Sequence, residues 1–235
     1  MKHTNSNIVL AFLTLLALPA GAATVVNPSF ETPTLVDEDF TGDPLVITWQ
    51  PFNTGTGTGG GAYNPSEANF TGAAGSGTPA GADGTNVYST NASLTTGNLA
   101  GASQVLAGLA LTTGTLYTLT VAIGHYADLS AADWNLGIST SSMAFGTFLN
   151  TSSGLGASLT SDAFNDYSVS YTATGLEPQN LEDLKITFWS EKTASSGQFV
   201  PFDNVRFEAV AAPEPSATLL GGIGLLSLII RRRRN

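Results

Sequence analysis

The chain has 235 residues, no cysteine, and 18 acidic against eight basic residues, a formal net charge of −10. The missing thiols exclude disulfides, cysteine nucleophiles, thiolate zinc sites and iron–sulfur clusters. The acidic balance excludes a nucleic-acid-binding surface, because a phosphate backbone would be repelled.

The amino terminus reads as a secretory leader. Residues 1–7 carry Lys2, residues 8–18 are apolar apart from one threonine, and Ala20-Gly21-Ala22 offers a small-x-small cleavage site. Export through the Sec machinery and cleavage after Ala22 are the expectation, leaving 23–212 as one domain. That domain keeps only Lys185, Lys192 and Arg206 against 17 acids, a net of −14. Such a surface attracts hard cations, calcium above all.

Within the domain, short runs of period-2 alternation are separated by turn residues. They cover 25–30, 45–52, 85–89, 103–106, 116–124, 135–139, 145–149, 167–172, 184–190 and 202–209. The clearest puts Tyr117, Leu119, Val121 and Ile123 on one face and Thr118, Thr120 and Ala122 on the other. About ten short strands, each with one apolar face, have to pack sheet on sheet. The predicted fold is all-β, a jelly-roll sandwich of antiparallel strands, with a leader helix before it and a short membrane helix after it. Residues 53–61 and 72–84 are rich in Gly, Ala and Thr and read as surface loops. No lysine follows the glycines at 57–61, so a phosphate-binding loop is rejected.

His125 is the one histidine outside the leader, and no Gly-x-Ser-x-Gly elbow accompanies it. The acids cluster in loops, as Asp37-Glu38-Asp39, Asp162 with Asp166, and Glu182-Asp183, and read as solvated faces. No catalytic residue is therefore assigned. The candidate ligand-binding rings are Trp49, Tyr63, Tyr88, Tyr126, Trp134 and Trp189, of which Tyr126, Trp134 and Trp189 are preferred. Tyr126 and Trp134 flank a loop, and Trp189 has the parity opposite to Leu184, Ile186 and Phe188. Trp49 is expected in the core.

The carboxyl terminus has three parts in order. Pro213-Glu214-Pro215 precedes a charge-free apolar run at 217–230 and a basic tail at 231–234. As a helix the run would reach about 21 Å, short for a bilayer core of about 30 Å, with the arginines held inside. This tail, 213–235, resembles the PEP-CTERM sorting signal. The resemblance implies an exosortase as partner and an inner-membrane-anchored precursor released to the cell surface or extracellular matrix. A second resemblance rests on Asn27-Pro28-Ser29-Phe30-Glu31 and on Asp203-Asn204-Val205. These are similar to the opening and closing strands of galactose-binding-like jelly rolls shared by many carbohydrate-binding modules. There the matching acids hold structural calcium, which implies Glu31 and Asp203 here. Strand parity also places Asp203 on the core side with Val205 and Phe207, where a lone carboxylate would be costly.

The expectation is thus an exported, non-catalytic surface or matrix protein that associates with exopolysaccharide or another glycan. Its alternatives are a secreted polysaccharide hydrolase and a purely structural coat protein.

Overall fold

A computed structural model describes residues 24–42, 48–55, 59–71, 79–92 and 95–211. The expected leader, 1–22, the motif Pro213-Glu214-Pro215 and the apolar run 217–230 lie outside them. Among the described residues no helix is long and apolar enough to cross a membrane.

The described residues form eleven strands and a single turn of 3₁₀ helix, Gly156–Ser158. The strands are β1 (Phe40–Thr41), β2 (Gln50–Asn53), β3 (Gly59–Tyr63), β4 (Val87–Asn91), β5 (Leu99–Ala110) and β6 (Thr115–His125). They continue with β7 (Asp133–Thr140), β8 (Asn150–Gly154), β9 (Ala163–Thr172), β10 (Asp183–Glu191) and β11 (Phe199–Ala211). The larger sheet has the order β1-β3-β4-β11-β6-β9 and the smaller one β2-β5-β10-β7-β8. All strand pairings are antiparallel. The result is an all-β sandwich of two antiparallel sheets.

The alternation read in the sequence builds the core between them. Tyr117, Leu119, Val121 and Ile123 of β6 face Leu184, Ile186 and Phe188 of β10 across the interior, all buried. Phe188 packs against Phe30, Trp49, Tyr88 and Phe202 with ring centroids 4.7–5.9 Å apart. Each such ring pair adds about 0.5–1.5 kcal/mol beyond area burial.

Four readings are corrected. Residues 25–30 form turns rather than a strand, with Asn27 and Phe30 at positive φ. Residues 145–149 are likewise turn and coil up to Leu149. They fold over the smaller sheet because their aromatic side chains have a sheet face to cover. Residues 59–61, expected in a loop, open β3, since the missing side chains let the chain lie close to its neighbours. A Cβ on Gly61 would stand 2.0 Å from the Thr41 carbonyl oxygen. The fourth concerns Asp203. The pairing steps from Asp203↔Ala122 to Arg206↔Thr120, so β11 carries one extra residue, with Asn204 at φ 44°. A bulge of this kind inverts side-chain parity. Val205 and Phe207 enter the core, while Asp203 points to the outer face with Ala122.

That outer face carries a second apolar cluster of Phe70, Val87, Ala122, Tyr126 and Phe164. It is covered by the segment that follows β3, where Phe70 packs at a tilt on Phe164 and Tyr126, with ring centroids 5.0 and 5.1 Å away.

Candidate functional site

Beside this second cluster the larger sheet holds a pocket of about 280 Å³. Its floor comes from alternation. Tyr63 of β3, Ser89 and Asn91 of β4, and Phe199 of β11 all point outward, opposite to the core residues Ala62, Tyr88 and Val200. Phe40 of β1 pairs with Tyr63 and forms the rim. Tyr126 and Leu129 close the other side. The lining is mostly rings and aliphatic carbon, with a few convergent polar groups, the usual character of a small-molecule site.

Those polar groups are wired together. The Tyr126 hydroxyl donates to Ser89 Oγ at 2.8 Å, and the Tyr63 hydroxyl donates to Asn69 Oδ1 at 2.5 Å. Asn69 Nδ2 donates to Asp128 Oδ1 at 3.1 Å, and the Asn69 carbonyl accepts from Ala127 N at 2.8 Å. Asn69 therefore ties the covering segment to the 127–128 turn and fixes the pocket mouth. Burial pushes both phenols above their ordinary pKa, with the Asp128 charge adding to each. They stay protonated and act as neutral hydrogen-bonding groups. Among the described residues the lining holds no carboxylate and no cation. On the far side of Leu129 lies a more polar cleft of about 410 Å³, which includes His125, Asp128 and Asp133.

Of the predicted ring residues, the structure brings only Tyr126 and Tyr63 into this pocket. Trp134 is buried in the main core against Tyr167, with centroids 4.5 Å apart, and its Nε1 has no hydrogen-bond partner. Trp189 does lie on the outer side of the smaller sheet, yet it is covered by Phe148, stacked at 5.0 Å. Trp49 is in the core beside Phe30. His125 Nε2 pairs with the Leu129 carbonyl at 2.9 Å. Ser89, Asn69 and Phe199 were missed, because polar or lone residues on three separate segments carry no local signature. The one available signal was outward parity on β4 and β11.

The predicted metal pair comes together at the edge of the same face. Glu31 accepts from Thr85 N (2.9 Å) and Asn86 N (2.7 Å), reaching over Gly84. A Cβ on Gly84 would meet Glu31 Oε1 at 2.4 Å, and its φ is +86°, so glycine is required twice over. Asp203 Oδ2 accepts from Asp83 N at 2.6 Å, while Oδ1 is buried with no hydrogen-bond partner. Burial, with the Asp83 and Glu31 charges adding to it and the backbone amides of Asp83 and Asn204 opposing, raises the Asp203 carboxyl to about 8. A buried carboxylate oxygen without a donor, with the Asp83 and Glu31 charges near enough to act on it, fits a hard divalent cation. Among the described residues no three metal-ligating side chains form a cluster on their own. Backbone carbonyls and water would have to complete any coordination shell.

A family model described as HpiC1 cyclase matches residues 21–208. The chain belongs to the HpiC1-like cyclase family. Among solved structures, the Stig cyclase Fisc from Fischerella sp. TAU, in complex with (3Z)-3-(1-methyl-2-pyrrolidinylidene)-3H-indole, is 22% identical with a TM-score of 0.66. The match covers 82% of this chain and 99% of that one. A cyclase from Fischerella sp. TAU in complex with 4-(1H-indol-3-yl)butan-2-one is 22% identical with a TM-score of 0.65, covering 83% of this chain and all of that one. An arabinose-bound α-L-arabinofuranosidase is 11% identical with a TM-score of 0.52, over 80% of this chain and 26% of that one. At these identities the likeness is one of fold. Among curated proteins none matches the chain.

Membership of the HpiC1-like cyclases corrects the expectation on several points. It replaces the PEP-CTERM and carbohydrate-binding-module resemblances, which rested on a tail beyond residue 208 and on two short motifs. Cyclases are enzymes, so the non-catalytic reading and its hydrolase and coat-protein alternatives are overturned. The structurally similar cyclases hold indole-containing small molecules, not a glycan or an exosortase, which overturns the partners expected.

Proposed function

We propose that this chain is a cyclase that folds and closes a small, largely apolar aromatic molecule of the indole class. The observation that carries it is the pocket framed by Phe40, Tyr63, Tyr126 and Phe199. Its volume of about 280 Å³ accommodates a two-ring substrate and excludes an oligosaccharide. The walls press a flexible substrate into a compact conformer, which supplies the proximity that ring closure needs. The Tyr63 hydroxyl and the Ser89–Tyr126 pair orient its polar atoms. Ring faces, with Glu38 and Asp128 acting on Tyr63 from nearby, favour positive charge that develops as the ring closes.

Binding of 4-(1H-indol-3-yl)butan-2-one to the full chain tests this reading. Ser89→Trp fills the floor and should abolish binding. Tyr63→Phe removes one hydroxyl and should weaken it about threefold to tenfold. Unaltered binding in Ser89→Trp would remove the pocket from the argument.

The chemistry of Glu31 and Asp203 supports a structural calcium ion in the fold, held by these two carboxylates. Its role would be to pin the 79–86 segment to β11 and the 27–33 turn, with no part in the reaction. At a hundredfold excess over its dissociation constant, calcium should raise the melting temperature by about 5–10 °C over a chelated sample. Asp203→Asn should abolish the difference. Equal melting with calcium and with chelator would exclude the ion. Export from the cytoplasm is also proposed, resting on the leader-like residues 1–22.

A further inference from the structure

The outer face of the smaller sheet carries a cleft that the proposed cyclisation does not use. On β10, Lys185, Thr187 and Trp189 alternate outward from the core residues Leu184, Ile186 and Phe188. The neighbouring strands are pared to glycine beneath the rings. A Cβ on Gly137 would stand 2.6 Å from Phe148, and one on Gly101 would stand 2.6 Å from Trp189 Cβ. The 141–149 segment folds back over this face. It is held by Ser141 N on the Asp183 carbonyl and Leu149 N on the Ile138 carbonyl, both at 2.8 Å. Phe148 stacks on Trp189, and Phe145 packs on Phe52 with centroids 4.3 Å apart. Between segment and sheet remains a cleft of about 150 Å³, whose lining includes Phe52, Phe145, Phe148, Ser139, Thr187 and Lys185.

Lys185 is the unusual member. It is one of three cations in a domain with 17 acids. Yet among the described residues the one ion pair joins Arg206 to Asp166. The Lys185 ammonium donates to the Met143 carbonyl at 2.6 Å, which leaves its charge uncompensated. The adjacent acids are engaged elsewhere. Glu182 accepts from Thr140 and Ser142, and Asp183 Oδ1 accepts from Gly108 N. A partly buried ammonium with no anion, beside two hydroxyls and three rings, is built for a ligand that brings its own negative charge. Burial lowers the pKa of Lys185, in keeping with that missing counter-charge.

We propose that this cleft binds a small aromatic carboxylate, its ring against Phe52, Phe145 and Phe148 and its carboxylate on Lys185 Nζ between Ser139 and Thr187. The size of the cleft admits one ring and a short acidic arm. A sugar platform is excluded, because the open face of Trp189 is already taken by Phe148. The site lies on the opposite side of the sandwich from the Tyr63–Tyr126 pocket and stands independently of the activity assigned there.

Calorimetric titration of the full chain with phenylacetate, phenylacetamide and inorganic phosphate tests the proposal, with melting curves to confirm folding. Phenylacetate should bind. Phenylacetamide should bind about tenfold more weakly, and Lys185→Met should lose about tenfold for phenylacetate, the loss of one charge-assisted contact. Lys185→Arg should retain most of the affinity, and Ser89→Trp all of it. Equal binding of acid and amide, unchanged binding in Lys185→Met, or phosphate as tight as phenylacetate would each overturn it. So would loss of phenylacetate binding in a folded Ser89→Trp, which would place the ligand in the other pocket.

Discussion

The two outer faces of the sandwich solve the same problem in different ways. Each strand pair leaves a solvent side, and here both sides are covered by a segment rich in rings. On the larger sheet the cover is Phe70 and Tyr126, which join Val87, Ala122 and Phe164 in a true second core. The polar network of Tyr63, Asn69 and Asp128 then holds the pocket mouth open. On the smaller sheet the 141–149 segment lies flat on Trp189, and Phe145 stays 44% exposed. Depth follows from this difference. A cover with its own core can stand off the sheet and enclose an uncharged volume. One that rests on glycine-pared strands leaves a shallow cleft whose charge is set by a single lysine.

The sharpest way to break this comparison is Phe70→Ala. Phe70 is fully buried and contacts both Tyr126 and Phe164. Its loss should cost about 3–5 kcal/mol in a denaturant titration and abolish ligand binding in the larger pocket. A stability loss that spares binding would mean the second cluster does not hold the pocket. Gly137→Val makes the reciprocal test. The new side chain would displace Phe148 from Trp189, at about 1–3 kcal/mol. Binding of the indole ketone should be unchanged, while tryptophan emission shifts to the red as Trp189 becomes wetted.

The same contrast shows what could be read from the residues. Period-2 alternation gave both inner faces, including the full set on β6 and β10, because each inward side chain there is apolar and most outward ones are polar. It also placed Trp189 outward. It could not show that Trp189 is covered, because 145–149 alternates like a strand while acting as a lid. Nor could it show the bulge at Asn204, since one inserted residue changes no composition, yet it carries Asp203 from the core side to the outer face. The pocket was legible only as two of its rings. Tyr63, Ser89, Tyr126 and Phe199 are brought together by the order β3-β4-β11-β6, which pairing decides and local pattern does not.

The smallest expected effect lies away from both faces and serves as their control. Glu177 accepts from the Tyr171 hydroxyl, from Thr174 N and Oγ1 at 2.8 Å each, and from Gly175 N at 2.7 Å, closing the turn after β9. The Tyr171 hydrogen bond, then those from Thr174, hold its carboxyl down at about 2, while burial and Glu177 push Tyr171 up to about 12. A carboxylate whose folded pKa is depressed contributes stability above its unfolded value of 4.5, and loses it as pH falls from there toward 2. Glu177→Gln should therefore melt below the parent at pH 7 and level with it near pH 2. Because Glu177 lies at the surface and is only partly buried, solvent screens its contacts and the gap at pH 7 should be on the order of 1–2 °C. Neither ligand should bind differently. A Glu177→Gln variant that weakened the larger pocket would show that the two ends of β9 are coupled through Phe164, and that the second core is not a separate unit.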